Sequence, residues 1–320
     1  MMVALRQRAY AVPVLVTVAL LLAVNAALNR SFVSPDNWAP ILAGATPFIV
    51  TALAQAAPIL AGGGGIDLSV GPLAGLVNAI LVAVLVPRGL DGPLPMIGAA
   101  LALGALSGLL NGAIVCMLRV QPIIATLGSF LVYQGLTLEV LPTAGGSAPA
   151  WLRAASGRVG WIPGPLLLLL VLAAAWLALG VTAYRRNLLA VGGDERAAYA
   201  AGIDVAAVRI IAYVIAGMLA AVAGLAFTAV LGSADPSVGV PYTLTSVAGA
   251  ALGGLSLAGG RGGMLGAAAG GALLFLVQNL LTLAQVSIFY LQIATGLILL
   301  AAVAINAVSD LRRRRSTAAA

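Results

Sequence analysis

The chain is 320 residues long, 62% hydrophobic and only 8% charged, with a net charge of +7 and no histidine. Its mean hydropathy of +1.11 leaves too little polar surface to cover a soluble globule of this size, so the composition places it in a membrane. All 16 basic residues are arginine, which excludes a histidine base or metal ligand, a Schiff-base lysine and the lysine of a Walker phosphate loop. The single Cys116 excludes an intramolecular disulfide.

Taken in chain order, apolar runs near the roughly 20 residues that a hydrocarbon core demands predict ten spans. They cover 10–29, 40–61, 66–87, 94–118, 122–141, 162–184, 207–231, 241–259, 262–284 and 288–309. Arg6 and Arg8 precede the first span, whose apolar run is longer than that of a cleaved signal peptide, and it reads as a retained signal anchor. The expectation is an all-α integral membrane protein of about ten transmembrane helices: one domain over 1–310, followed by a basic tail over 311–320 that carries Arg312 to Arg315.

Between the second and third spans stands Gly62-Gly63-Gly64-Gly65, followed by Ile66-Asp67-Leu68-Ser69-Val70-Gly71. Two readings fit. The glycines make a tight turn between helices, or they belong to a discontinuous helix in which Asp67 and Ser69 cap exposed amides while unwound backbone faces a solute path. The same phrase recurs as Asp235-Pro236-Ser237-Val238-Gly239, at an offset of 168 residues that also carries Asn111 onto Asn279. Ile124-Ala125-Thr126 reappears as Ile293-Ala294-Thr295. The repetition implies two related halves, about 1–160 and 161–310.

Arginine placement orients the spans. With the N-terminus inside, ten crossings put 12 arginines on the inner side and leave Arg30, Arg88, Arg153 and Arg158 outside, the bias that the positive-inside rule predicts. Both termini then face the cytoplasm. Five spans separate Asp67 from Asp235, so the two five-helix halves are expected to lie in inverted orientations, with discontinuous helices near the glycine-rich motifs.

Gln55, Asn78, Asn111, Thr126, Gln134, Gln278, Asn279, Gln292 and Thr295 fall within the predicted spans. A buried amide without a partner costs a few kcal/mol, so each bonds either to a neighbouring helix or to something in a path. Uncharged donors and acceptors suit a neutral, hydroxyl-rich solute, whereas an ion carrier calls for intramembrane charge. The candidate pathway residues are Asp67, Ser69, Asn78, Asn111, Thr126, Asn279, Gln292 and Thr295. Nothing in the pattern calls for a catalytic residue, a metal or a cofactor. In the longest inner loop, Gly192-Gly193-Asp194-Glu195-Arg196-Ala197-Ala198-Tyr199-Ala200-Ala201-Gly202 reads as a short helix capped by Asp194 and stopped at Gly202, with Ala198 and Tyr199 exposed. It is either a solvated connector or a docking lever for a soluble partner.

Gly64 to Gly71, Asn111-Gly112 with Arg119-Val120-Gln121-Pro122-Ile123-Ile124-Ala125-Thr126-Leu127-Gly128, the Gly192 to Glu195 loop, and Leu252-Gly253-Gly254-Leu255-Ser256-Leu257-Ala258-Gly259-Gly260-Arg261-Gly262 together resemble the permease subunits of ribose-type ABC sugar importers. The resemblance runs over nearly the whole chain. It implies a pore of two permease chains in the bacterial inner membrane, with a homodimer expected and no nucleic-acid partner. Cytoplasmic ATP-binding subunits would drive the pore, and an extracytoplasmic sugar-binding protein would feed it. It also implies that Gly193, Asp194, Glu195, Arg196, Tyr199 and Gly202 belong to the helix that couples to the ATPase, although Ala198 and Tyr199 stand where the family commonly has a glutamate or arginine. The solute expected is a monosaccharide. The alternatives are a nucleoside or another small polar solute carried by the same kind of permease, a stand-alone secondary transporter, or an intramembrane enzyme, for which the chain lacks histidine and a paired carboxylate site. Because no lysine is available to hold phosphate, the purified chain alone is expected to bind no ATP at stoichiometric levels; equilibrium binding of radiolabelled ATP in nanodiscs tests this, and one bound nucleotide per chain refutes it.

Overall fold

Proline opens many of the helices. It occupies the first turn of α1 (Val12–Leu28), α4 (Pro93–Cys116), α5 (Pro122–Val140) and α7 (Gly164–Gly180), where its missing N–H leaves nothing unpaired and its fixed φ is already helical. The computed structural model describes residues 11–287 together with Tyr290, Ile293, Gly296, Leu297, Leu300 and Ala301. Among these residues the other helices are α2 (Trp38–Leu60), α3 (Val70–Ala79), α6 (Ala150–Ala155), α8 (Ala183–Gly193), α9 (Glu195–Ala200), α10 (Val205–Leu231), α11 (Tyr242–Leu252) and α12 (Met264–Leu283). A π-turn over Ile80–Leu85 and a 3-10 turn over Val86–Arg88 prolong α3. A two-residue antiparallel hairpin, β1 (Arg158–Val159) with β2 (Ile162–Pro163), is the one sheet among the described residues.

Six stretches are long and apolar enough to cross a membrane: Pro35–Leu60, Val70–Arg88, Pro93–Cys116, Pro122–Val140, Val205–Leu231 and Met264–Leu283. A seventh is reached if α7 and α8, which meet at an 80° bend, are taken as one span. Nine of the ten predicted segments overlap helices, although those in 10–29 and 162–184 are only 17 residues long, and 241–259 does not form a full span. Its helix, α11, has 11 residues, about 16 Å at 1.5 Å per residue and so half of a hydrocarbon core. The cause is the glycine run that follows, where Gly254, Gly259, Gly260 and Gly262 all take positive φ and no helix continues. The tenth segment, 288–309, lies almost wholly outside the described residues. Residues 185–193, read from sequence as loop, are helical in α8, with Leu188 and Val191 buried.

At the centre α10 lies against α4 with bare backbone between them. A Cβ on Gly104 would stand 2.4 Å from the carbonyl of Gly217, and one on Gly217 would stand 2.1 Å from that of Gly104. Gly108 meets the carbonyl of Tyr213 in the same way, at 2.2 Å. Small residues at helical spacing let the two helices touch where the surrounding lipid offers no hydrophobic drive to association.

The connections gather at two ends. At one end Arg158 pairs with Asp36 at 3.2 Å, Trp151 donates to the carbonyl of Asp91 at 2.7 Å, and Gly145 bridges to Ala234. At the other, the amide of Gly260 donates to Leu60 at 3.1 Å, and Arg119, Gln121, Glu195 and Arg209 line one cavity. Arg30, Arg88, Arg153 and Arg158 belong to segments of the first end, and Arg119, Arg196, Arg209 and Arg261 to segments of the second. The close α4–α10 contact generates a test. Gly217→Ala overpacks it and should cost about 1–3 kcal/mol, whereas Gly128→Ala on α5, with no atom within 4 Å of the new carbon, should cost nothing or raise stability slightly. Thermal unfolding of both variants in detergent measures the difference, and equal midpoints would contradict the close packing.

Candidate functional site

Both copies of the repeated motif fold in the same way. In the first, Asp67 Oδ1 accepts from the Ser69 amide at 2.9 Å and from its hydroxyl at 2.6 Å. In the second, Asp235 Oδ1 accepts from the Ser237 amide at 2.8 Å and from its hydroxyl at 2.6 Å. An aspartate bonding two residues ahead makes a turn without a regular ladder, and each turn precedes a helix, α3 or α11.

Backbone that leaves the helical ladder inside a membrane must find partners elsewhere. Here a side-chain amide clamps each motif. Gln55 on α2 accepts the Asp67 N–H at 3.2 Å and donates to the Asp67 carbonyl at 2.6 Å and to Ser246 Oγ at 3.0 Å. Asn78 on α3 accepts the Asp235 N–H at 3.0 Å and donates to the Ser233 carbonyl at 3.1 Å and to Thr228 Oγ1 at 2.9 Å. Ser246 is the residue 168 positions after Asn78, so the two residues of that pair each serve the motif copy that lies farther away in sequence. The chain starts of α3 and α11 also cross. A Cβ on Gly71 would lie 2.4 Å from Gly239 O and 2.8 Å from Thr243 N, and one on Gly239 would lie 2.2 Å from Gly71 O and 2.9 Å from Gly75 N. Gly71 pairs with Gly239 and Gly75 with Thr243 at the same offset, and such reciprocity is the pattern of an isologous, two-fold contact.

The first motif is tied onward to α4 and α5. Asn111 Nδ2 donates to Ser69 Oγ at 2.9 Å, and Ser129 donates through its hydroxyl to Asn111 Oδ1. Thr126 Oγ1 accepts the Leu68 N–H at 3.1 Å while donating to the Pro122 carbonyl at 2.9 Å. Of the candidates named from sequence, Asp67, Ser69, Asn111 and Thr126 therefore converge on one network, each no more than 1% exposed. Asn78 serves the second motif. Asn279 joins neither, because its Nδ2 donates to Asn25 on α1 at 2.8 Å. Gln292 and Thr295 lie outside the described residues. The candidate set omitted Gln55, Ser129, Asp235 and Ser246. The repeat itself pointed to Asp235 and, through its offset from Asn78, to Ser246; Ser129 stands one turn beyond Ala125 on the face that carries Thr126, and nothing in its type marked it out.

The short helix of the inner loop is as the sequence indicated. Asp194 Oδ1 caps the amide of Ala197 at 3.0 Å, and Gly202, at φ +79°, ends α9 with its amide on the Tyr199 carbonyl at 2.9 Å. Arg196 is exposed and Tyr199 75% exposed. Ala198 corrects the expectation: it is buried at 4%, packed with Leu60, Leu188, Val191 and Val208. The reason is geometric, since a six-residue helix lying on the protein turns one side inward. Nothing lies within 4 Å of the missing Cβ of Gly193. Beside α9 opens a cavity of about 1130 Å³ whose wall includes Gly62, Gly63, Gly65, Arg119, Glu195 and Arg209.

Residues 38–305 match the family described as branched-chain amino acid transport system / permease component. The ribose import permease protein of Escherichia coli K12 is 34% identical over 302 residues, covering 91% of this chain and 92% of that protein. That of Bacillus subtilis is 35% identical over 292 residues, covering 90% and 89%. The autoinducer 2 import system permease protein of Shigella flexneri is 32% identical over 295 residues, covering 90% and 84%. No solved structure matches the chain. An apolar helical fold with two braced breaks, matched almost end to end by import permeases, makes this chain a member of the branched-chain amino acid transport system permease family.

Proposed function

We propose that this chain is the membrane-spanning subunit of an ABC importer that moves a monosaccharide of the ribose type across the bacterial inner membrane. The observation that carries the proposal is similarity at 34–35% identity, over about nine-tenths of the chain, to ribose import permeases of Escherichia coli and Bacillus subtilis. Apart from Asp67, the buried polar network is built from uncharged amides and hydroxyls, which agrees with a neutral, hydroxylated solute. Similarity to an autoinducer 2 import permease at nearly the same coverage favours a second reading, another small polar solute carried by the same architecture. In either case a cytoplasmic ATP-binding subunit supplies the energy, an extracytoplasmic binding protein delivers the solute, and a second copy of the chain completes the pore.

In this reading α9 meets the ATPase. It is capped, ordered and offers Tyr199 outward, at the end of the fold to which the inner-side arginines were assigned. Large apolar side chains stand exposed along α4 and α5, among them Leu106, Leu110, Leu131 and Val132, and suit lipid or the second copy. The two motifs cross with reciprocal contacts, which supports halves related by a two-fold axis, and the arginine bias supports both termini in the cytoplasm. Asp67, Ser69, Asn111 and Thr126, bonded to one another and to backbone, shape the pathway by holding the break before α3, and Asn78 does so for the second motif. Solute then meets weak contacts only, and rearrangement of the broken segments switches which side is open.

Two measurements test this. In a Cys116→Ala background, Ser147→Cys and Ser237→Cys should react with an impermeant thiol reagent in intact cells, and Tyr199→Cys only after the membrane is opened; labelling of Tyr199→Cys from outside reverses the orientation. Truncating an exposed aromatic anchor typically costs about 2 kcal/mol of binding, so Tyr199→Ala should weaken capture of the ATP-binding subunit by roughly thirtyfold without changing the permease's level in the membrane. Unaltered capture, measured by titration in nanodiscs, removes α9 from the docking surface.

A further inference from the structure

Arg209, in the second turn of α10, touches two segments of the fold that are far apart in sequence. Its guanidinium forks onto Glu195 of α9, Nη1 to Oε1 at 3.1 Å and Nη2 to Oε2 at 2.7 Å. The same group lies on the glycine run before the first motif: a Cβ on Gly63 would stand 2.8 Å from Nη2 and 3.0 Å from Cζ. Gly63 has φ +65°, and its lack of a side chain makes the approach possible. The Arg209 Nε is 3.5 Å from the carbonyl of Ala61.

Around this pair the contacts are backbone on backbone. A Cβ on Gly192 would fall 1.8 Å from the Leu60 carbonyl, one on Gly259 would fall 2.5 Å from Gly62 Cα, and one on Gly260 would fall 2.6 Å from Gly193 Cα. The break before α3, the end of α8 and the return after α11 thus meet at a junction of glycines. Bare backbone packs closely but has no side chains to interlock, so such a surface permits rotation and sliding. A bidentate arginine–carboxylate pair is directional, because two parallel bonds fix the plane of the guanidinium.

We propose that Glu195 and Arg209 form a strut that carries displacement of α9 to the Gly62–Gly65 break and so to the Asp67 loop, making both positioning residues for the coupling of ATP hydrolysis to transport. The proposal rests on the reading of α9 as the helix that meets the ATPase. Stability alone does not account for the arrangement. The Arg209 side chain is 17% exposed but that of Glu195 is 54% exposed, and an ion pair with one partner half open to solvent contributes modestly to folding. Breaking the pair should leave the fold intact and alter what α9 transmits.

The test uses the full complex with its own ATP-hydrolysing subunit and binding protein in proteoliposomes. Glu195→Gln, Arg209→Gln and the exchanged pair Glu195→Arg with Arg209→Glu are compared for thermal midpoint, for capture of the ATPase, and for ribose moved per ATP hydrolysed. Arg209→Gln is expected to keep its midpoint and its capture of the ATPase, each single variant is expected to lower the ratio of ribose to ATP on the order of fivefold or more, and the exchanged pair is expected to recover most of the ratio. Single variants with the original ratio, or an exchanged pair no better than either single, overturn the strut. Failure of Tyr199→Cys to cross-link to the ATPase would instead overturn the underlying reading of α9, so the two failures are separable.

Discussion

The constraint on which the rest of this structure depends is that backbone leaving a helix inside a membrane must be given hydrogen-bond partners by the protein itself. Two stretches do so here, around Asp67 and around Asp235, and both meet the requirement in two layers. Within each motif the aspartate bonds the serine two residues on, which holds the turn. From outside, a side-chain amide bridges the turn's own N–H and a nearby carbonyl, Gln55 in one case and Asn78 in the other. A carboxamide suits this role because it presents a donor and an acceptor side by side.

The two motifs share this internal geometry but not their surroundings. Asp67 is 1% exposed, and its serine is bonded onward to Asn111. Ser237, in the second copy, is exposed, and Asn279, the counterpart of Asn111, turns instead to Asn25. The first break is thus braced into α4 and α5, whereas the second rests on the clamp from α3 and the backbone crossing at Gly71 and Gly239.

Much of the fold was legible because its signals are local. Nine of the ten apolar runs overlapped helices, six of them long enough to cross a membrane, since twenty apolar residues in a row have few alternatives in lipid. The capped helix from Asp194 to Gly202 was readable from its two end residues. Where sequence reading went astray, the deciding information was not local. The run 241–259 is apolar enough to span, but its glycines take positive φ to pack against other glycine segments. Ala198 carries no mark of burial, and only the position of α8 and α10 beneath it decides the matter. Asn279 copies Asn111 in identity, yet the partner it meets belongs to α1.

By itself the sequence determined that the chain lives in a membrane, that the Asp-x-Ser-Val-Gly motif recurs at an offset of 168 residues, and that the chain carries no histidine and no lysine; these follow from composition and residue identity alone. Only the tertiary structure decided which polar residues act together. Gln55 bonds Ser246 across 191 residues of chain and Asn78 bonds Thr228 across 150, and Arg209 comes to lie between α9 and the glycine run. The physical reason is that a hydrogen bond or an ion pair depends on distances of about 3 Å, and in a helical membrane protein those distances are set by how helices cross. Crossing is governed here by glycine backbones such as Gly71, Gly104, Gly217 and Gly239, whose role depends on the surface opposite and so cannot be seen from one segment alone.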